Sequence, residues 1–309
     1  MNPQLSVIIP TYNKIDRLIL TLFCLDKQLL STKEFEVIVI NDGSSDGTSE
    51  YLNSLTVNFQ LSYYHQKNSG QAKARNLGLS KAKGRIIVFL DDDLIIPPDF
   101  LKSHLAEHHS DYNQVVLGRI FRINSSDFYK ISQLIFNSYD EAIHDLMQYT
   151  RQDLYLDMVE TIFKKKLYDI AWICFTGGNS SVKKELIEKV GYFDSNFYRW
   201  GPEDIELGYR FHEAGIPFKY CPNLYNFHMD VIKDRNQMLI DTASNLKYLK
   251  KKYPNNDWIK DYIDFTSGGF SLEEFYSRRK GIPFHPEDYD SLFRFRPFDY
   301  INLKSEVNK

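Results

Sequence analysis

The sequence predicts an α/β fold: a mixed, mainly parallel sheet flanked by helices, followed by a helical or irregular C-terminal extension. Three observations predict it. Short runs rich in β-branched residues alternate with segments of helical spacing four times in about the first 110 residues, the pattern of a parallel sheet covered on both faces. Three of those runs end in polar clusters, Thr11–Asn13, Asp42–Asp46 and Asp91–Asp93, which such a sheet carries on one rim, where ligands bind. The chain has 309 residues, 43% hydrophobic and 26% charged, enough to bury such a sheet and too apolar for disorder.

The elements follow in order. Leu5–Pro10 reads as a buried strand closed by Pro-Thr-Tyr-Asn, and Asp16–Leu30 as a helix with Leu18, Leu22, Leu25 and Leu29 on one face. Phe35–Ile40 is a second strand, running into the Gly-Ser-Asp turn 41–47. Thr48–Leu55 is a helix, Leu61–His65 a third strand and Gln71–Ala82 a helix stopped near Gly84. Arg85–Leu90 is a fourth strand ending at the three aspartates, and Pro98–His109 a helix. From Asp127 to Tyr168 the pattern is mostly helical. Ala171–Val182 reads as strand, Gly-Gly turn and strand, with Lys184–Val190 and Glu203–Ala214 as helices. Phe218–Tyr220 and Leu224–His228 are short extended pieces, Lys233–Lys252 a helix, and the remainder irregular. The expected organisation is one unit over 1–232, in halves of about 1–110 and 111–232, and a C-terminal helical extension over 233–309.

Composition excludes several classes. A net charge of -3 lacks the basic footprint of a nucleic-acid binder. The cysteines Cys24, Cys174 and Cys221 are odd in number and form no CxxC pair, which fits a reducing compartment. The N-terminus has no signal-type stretch, and no apolar run is long enough to span a bilayer. The expectation is a cytoplasmic protein. Peripheral contact at the inner face of the membrane is the alternative placement, because Arg278, Arg279, Lys280, Phe284 and 293–298 interleave basic and aromatic residues. A tail packed on the catalytic body is favoured over that. An oligomer is compatible with the sequence.

The turn after the first strand lacks G-x-G-x-x-G, and no P-loop follows any strand. Phosphates must be held differently, and the acidic rim suggests a divalent cation between carboxylates and a diphosphate. Asp91 and Asp93, alternate residues of an extended segment, can face such a ligand together. The plainer alternative is a solvated loop before the next helix. Asp42 can accept from a base or ribose, whereas Asp46 shapes the turn and caps the helix from Thr48. Arg75, near a helix start, can reach a base or phosphate or form a surface ion pair. Glu203 and Asp204 open a helix behind Trp200-Gly201-Pro202 and suit general-base work, although acidic residues also favour any helix N-terminus. Trp200 can stack on a sugar ring. His228 stands alone; His104 and His108 are four apart but lack a third ligand and read as solvated.

Ser6–Asn13, Val39–Thr48, Asn68-Ser69-Gly70 with Ala74-Arg75-Asn76, and Phe89–Asp93 together resemble glycosyltransferase family 2, with its Rossmann-like GT-A fold. Trp200–Arg210 is similar to the acceptor-side motif of that family's galactosyl- and glucuronosyl-type members, bacterial chondroitin polymerases included; Pro202 departs from that motif, which carries a second Gly there. The resemblance spans about Leu5 to His228. It implies an inverting enzyme that moves a sugar from a UDP-sugar to a glycan, lipid-linked or other hydroxyl acceptor, with Mn²⁺ or Mg²⁺, in polysaccharide or surface-glycan assembly. It implies that Pro10, Thr11, Tyr12, Asn13, Asp42, Asn68, Arg75, Asp91 and Asp92 hold the donor, and that Asp91, Asp93 and His228 hold the metal. Asp204 would be the base with Glu203 orienting, and Gly177, Gly178, Asn179, Trp200 and Gly201 would line the sugar and acceptor pocket. The competing classes are a non-catalytic nucleotide-sugar-binding partner of a synthase and a sugar nucleotidyltransferase.

Overall fold

The computed structural model describes residues 2–108, 112–197, 201–229 and 234–295. Trp200, Arg296, Phe298, the ends expected at His109 and Lys233, and the boundary expected between 232 and 233 lie outside them.

The first half follows the expected alternation: β1 Leu5–Thr11, α1 Ile15–Asp26, β2 Phe35–Asn41, α2 Thr48–Ser54, β3 Gln60–His65, α3 Gln71–Lys81 and β4 Ile86–Phe89. Every residue of β1, β2 and β4 is buried, which is why these strands read as continuous apolar runs rather than alternating ones. After β4 come β5 Leu94–Ile95, α4 Phe100–Ala106, β6 Val115–Ile123, α5 Phe128–Asn137, α6 Tyr139–Asp145, β7 Thr150–Arg151 and α7 Leu154–Lys164. The chain continues through β8 Ser180–Lys183, α8 Lys184–Val190, α9 Glu203–Glu213 and β9 Phe218–Met229 to α10 Arg235–Lys252, α11 Asp257–Thr266 and α12 Leu272–Lys280.

Among the described residues the strands form one sheet, ordered β3-β2-β1-β4-β8-β6-β9-β5 with β7 beside β6. β1 to β4 pair in parallel; β8 then runs antiparallel to both β4 and β6, and β6 and β9 are parallel. The reversal at β8 joins the second half of the chain to the four parallel strands in one sheet.

Four expectations change. Ala171–Cys174 is not a strand but part of a 3-10 helix over Tyr168–Cys174, because a short buried apolar run has no periodicity to separate strand from helix. The two extended pieces near 218–228 are one strand, β9, whose register on β6 jumps between Gly118 and Arg119; Pro222-Asn223 mark that irregularity, not a strand end. β6, an apolar run interrupted by Gly118-Arg119, is not among the expected strands. Beyond α10 the C-terminal extension, read as irregular there, is helical too, with α11 capped by the Asn256 side chain and α12 by Ser271. Its Leu246, Leu249, Phe265 and Phe275 join the same buried cluster as Ile8, Ile38 and Phe89. Lys252 of α10 and Tyr253 directly after it both reach Glu206 of α9, at 2.8 and 2.7 Å.

The tail also packs inward. Arg278 and Arg279 both pair with the buried Asp261, Lys280 pairs with Asp169, and the Phe295 ring stacks on Phe265. No helix among the described residues is long and apolar enough to cross a membrane.

Candidate active site

One cavity of about 1100 Å³ opens at the carboxyl ends of β1, β2 and β4. Pro10, Thr11 and Tyr12 form its first edge, and the Tyr12 ring is 48% exposed, free to stack on a flat ligand. Asn13 does not line it. With a positive φ, Asn13 instead ties the turn after β1 to the turn after β2, giving its N–H to Ser44 and accepting from Ser45 N–H. Asp42 lines the cavity, yet both its oxygens are already used: they accept from Gln66 Nε2 and the N–H groups of Ser69 and Gly70. The carboxylate thus shapes the 66–70 turn that presents Asn68. Gly43 is needed here, because a Cβ would lie 2.8 Å from the Asn68 nitrogen and φ is +83°. Asp46, as expected, accepts from Thr48 and from Ile15 N–H.

The three aspartates split in role. Lys14, at the start of α1, places Nζ 3.0 Å from Asp92 Oδ1 and 2.7 Å from Asp93 Oδ2. Burial would lower its pKa, but the two carboxylates outweigh burial and hold the amine charged. The Asp92 carboxyl is itself raised to about 6, by burial against the pull of Lys14. Asp91, Asp93 and His228 each offer a ligand atom, all within 4.8 Å of one another. β9 runs antiparallel to β5 with His228 opposite Leu94, which sets His228 Nε2 3.3 Å from Asp93 Oδ1. Two carboxylates and an imidazole converging from two elements fit a divalent cation.

Arg75 stands at the centre. It is 1% exposed and lines the cavity, and its guanidinium is engaged by carboxylates. Nη1 meets Glu203 Oε1 at 3.0 Å and Asp204 Oδ1 at 2.8 Å, while Nη2 meets Asp91 Oδ1 at 3.1 Å. The Phe193 ring lies 5.4 Å beneath it. Gly177 permits this, since a Cβ there would fall 2.2 Å from Arg75 Nη2. Gly177 N–H donates to Asp204 Oδ2 at 2.9 Å. Asp204 keeps an edge on the cavity with its side chain 20% exposed, while Glu203 is 3% exposed and its Oε2 has no hydrogen-bond partner among the described residues. Burial, then the neighbouring Asp204 charge, pushes Glu203 up to about 7, and burial raises Asp204 against Arg75.

Gly201 lines the cavity beside these carboxylates; Gly177, Gly178 and Asn179 stand behind its wall, next to Thr176. His104 and His108 are not solvated. They are 0% and 1% exposed, and both bond the Ser181 hydroxyl of β8. Sequence reasoning missed Lys14, Gln71 and Arg122, and the far wall of Leu246, Tyr262, Phe265 and Phe295. Lys14 had one available signal: a cation directly after the turn that faces the aspartates.

The family model for glycosyl transferase family 2 matches residues 6–191 of this chain. The chain belongs to glycosyltransferase family 2. A second model, the N-terminal domain of galactosyltransferase, matches 158–230, the stretch that holds Gly177, Asp204 and His228. The uncharacterized glycosyltransferase YfnE of Bacillus subtilis is 30% identical over 84% of this chain and 73% of its own length. Chondroitin synthase of Escherichia coli is 30% identical over 81% of this chain but only 38% of its own. Two solved structures share the fold. The Pyrobaculum calidifontis mannosyltransferase PcManGT, in complex with GDP-Man and Mn²⁺, has a TM-score of 0.57 at 21% identity, over 83% of this chain and 66% of that one. Staphylococcus aureus TarS 1-349, in complex with UDP-GlcNAc, has a TM-score of 0.56 at 19% identity, over 93% and 74%. The architecture is therefore GT-A, and this family 2 member is a hexosyltransferase.

Proposed function

We propose that this glycosyltransferase transfers a hexosyl group from a UDP-sugar to an acceptor hydroxyl with inversion at the anomeric carbon. One observation carries the reading: a single buried guanidinium, Arg75, holds Asp91 of the metal-type cluster and Asp204 of the acidic pair on the same cavity. Donor phosphates and an attacking hydroxyl would then meet from opposite sides. Tyr12 would stack on the nucleobase, Thr11 and Asn68 would border the nucleoside, and Lys14 faces the position of the diphosphate.

Asp204 takes the proton of the acceptor hydroxyl, whose oxygen forms the new bond to the anomeric carbon. The bond from that carbon to the phosphate oxygen breaks, and the electron pair leaves with UDP. Glu203 and Gly177 keep Asp204 aimed, and Arg75 stabilises its carboxylate form between proton transfers. Asp91, Asp93 and His228 would hold Mn²⁺ or Mg²⁺, which when bound offsets charge on the leaving diphosphate. The relation to chondroitin synthase supports a glycan acceptor and a role in polysaccharide or surface-glycan assembly. The unit acting is proposed to be residues 1–232, with the 233–309 extension completing the acceptor side through Met238, Leu246, Tyr262 and Phe295.

UDP release from a panel of UDP-sugars, with Mn²⁺ and with chelator, tests this. Mn²⁺-dependent hydrolysis or transfer of one donor is expected. Tight UDP binding with no turnover of any donor, acceptors included, would leave a binding partner of a synthase instead.

A further inference from the structure

Outside the cavity lies a buried polar chain that the transfer reaction does not use. It links His108 and His104 of the α4 segment to Ser181 of β8 and to Asn179, and Asn179, Ser181 and His104 are each 0% exposed. The proton positions follow from the partners. Asn179 Nδ2 stands 3.0 Å from Arg119 O and 3.4 Å from Leu224 O, so that end of the amide is the NH₂. Its Oδ1 therefore faces His104 Nε2 at 3.1 Å and needs a donor there. His104 carries its proton on Nε2, and its bare Nδ1 accepts from Ser181 Oγ at 2.8 Å. The single proton of Ser181 is then committed, so His108 Nε2, 2.8 Å from the same oxygen, must donate. Both rings are neutral: burial, then the other histidine, lowers His104 to about 3, and burial lowers His108 to about 4. A Ser–His nucleophile is excluded, because the hydroxyl is sealed from the cavity.

What the chain holds is the irregularity in the sheet. The β6–β9 register jumps from Gly118 opposite Cys221 to Arg119 opposite Tyr225. Arg119 O and Leu224 O, which flank that jump, are both answered by the Asn179 amide. Gly118 leaves the room, since a Cβ there would come within 2.3 Å of Asn179 Nδ2. Beyond the jump, β9 gives Asn226, whose Nδ2 donates to Gly178 O at 2.8 Å, and then His228. On the other side, Asn179 continues into Gly178 and into Gly177, which holds Asp204.

We infer that His104 is a positioning residue: with Ser181 and His108 it orients the Asn179 amide, which sets the Gly177–Gly178 turn and the far half of β9, and so places Asp204 and His228 at the cavity. This rests on the roles proposed above for Asp204 and His228.

Side-chain ¹⁵N spectra of the full chain test the chain of donors directly. His104 should remain a neutral Nε2–H tautomer from about pH 8 to about pH 5, across the range where an ordinary imidazole titrates. An Nδ1–H tautomer or a cation overturns the inference, whatever the outcome for the roles proposed for Asp204 and His228. The second arm is His104→Phe, which keeps a ring against Phe100 and removes both hydrogen bonds. Mn²⁺ affinity should fall ~10–100-fold, as when an outer partner of a metal site is lost. Turnover should fall on the order of 10²-fold. UDP affinity without metal should hold within about twofold, because β1 to β4 are untouched, and His104→Gln, with a donor and an acceptor, should recover most of both losses. Unchanged Mn²⁺ affinity and turnover per folded molecule would mean that His104 only fills space. Should His104→Phe not fold, Ser181→Ala replaces it with smaller losses in the same two readouts, and their absence would overturn the inference in the same way.

Discussion

Two adjoining acidic clusters line the cavity, and each is bridged by one cation of a different kind. Asp92 and Asp93 share Lys14, a compact charge on a flexible stem whose side chain is 24% exposed. Glu203, Asp204 and Asp91 share Arg75, a planar fork with its side chain 1% exposed and a ring beneath it. The ammonium can withdraw toward solvent along its own chain. The guanidinium cannot leave without stranding three carboxylates. On the roles proposed above, the lysine side would exchange its cation and the arginine side would keep the base in one place.

Breaking the fixed side should have the largest effect. Arg75→Met removes the cation that Glu203 and Asp204 share, and losing one partner of a buried pair costs about 3–5 kcal/mol. Urea unfolding should show that loss. A variant as stable as the parent would mean the carboxylates are protonated and the fork is dispensable. Asp204→Asn leaves the fork's other contacts in place and should lower turnover ~10²–10⁴-fold while UDP affinity persists. Near-normal turnover would remove Asp204 as the base. The pH dependence follows with a smaller range. A base must be deprotonated to act, and here burial raises the pair, with Glu203 near 7. Activity should therefore be lost as pH falls through the raised pKa of Asp204, at a higher pH than for an ordinary carboxylate and by close to tenfold per unit below it. A kcat/KM profile flat from about pH 5 upward would place the pair in the ordinary carboxylate range and contradict the burial argument.

The same contrast explains what could be read from the sequence. The nucleotide half was legible because each strand is a short apolar run ended by a polar turn, so Asp42, Asp91 and Asp93 fall on one rim by topology alone. Their partners were not legible. That Arg75 serves Asp204, more than a hundred residues away, depends on how β8 reverses the sheet. His104 and His108 read as solvated because a four-residue spacing says nothing of the strand packed against it. α10 was legible as a helix, but α11 and α12 read as an irregular tail, and only the placement of Tyr253, Tyr262 and Phe275 against Glu206 and Trp172 shows that this region closes over the site. Motifs identified the chemistry, while long-range pairing decided which residue holds which.

The smallest effect tests the exchangeable side. Lys14→Met leaves Asp92 and Asp93 buried side by side without their amine, and a lost hydrogen bond to a charged group is worth about 1.5–3 kcal/mol. Partial exposure of Lys14 puts this site at the lower end, a few degrees in Tm for a domain of this size. That deficit should appear in chelator and shrink when Mn²⁺ is added, because a cation held by Asp93, Asp91 and His228 supplies the missing positive charge. At about 100 times its Kd, such a cation contributes about 2.7 kcal/mol, more than the amine does. The variant should also bind Mn²⁺ more tightly than the parent, since no ammonium competes for Asp93. If the Tm deficit is the same with and without Mn²⁺, and the Mn²⁺ affinity is unchanged, then Lys14 and the metal do not share a carboxylate. The two clusters would then be equally fixed, and the division of labour between lysine and arginine would fall.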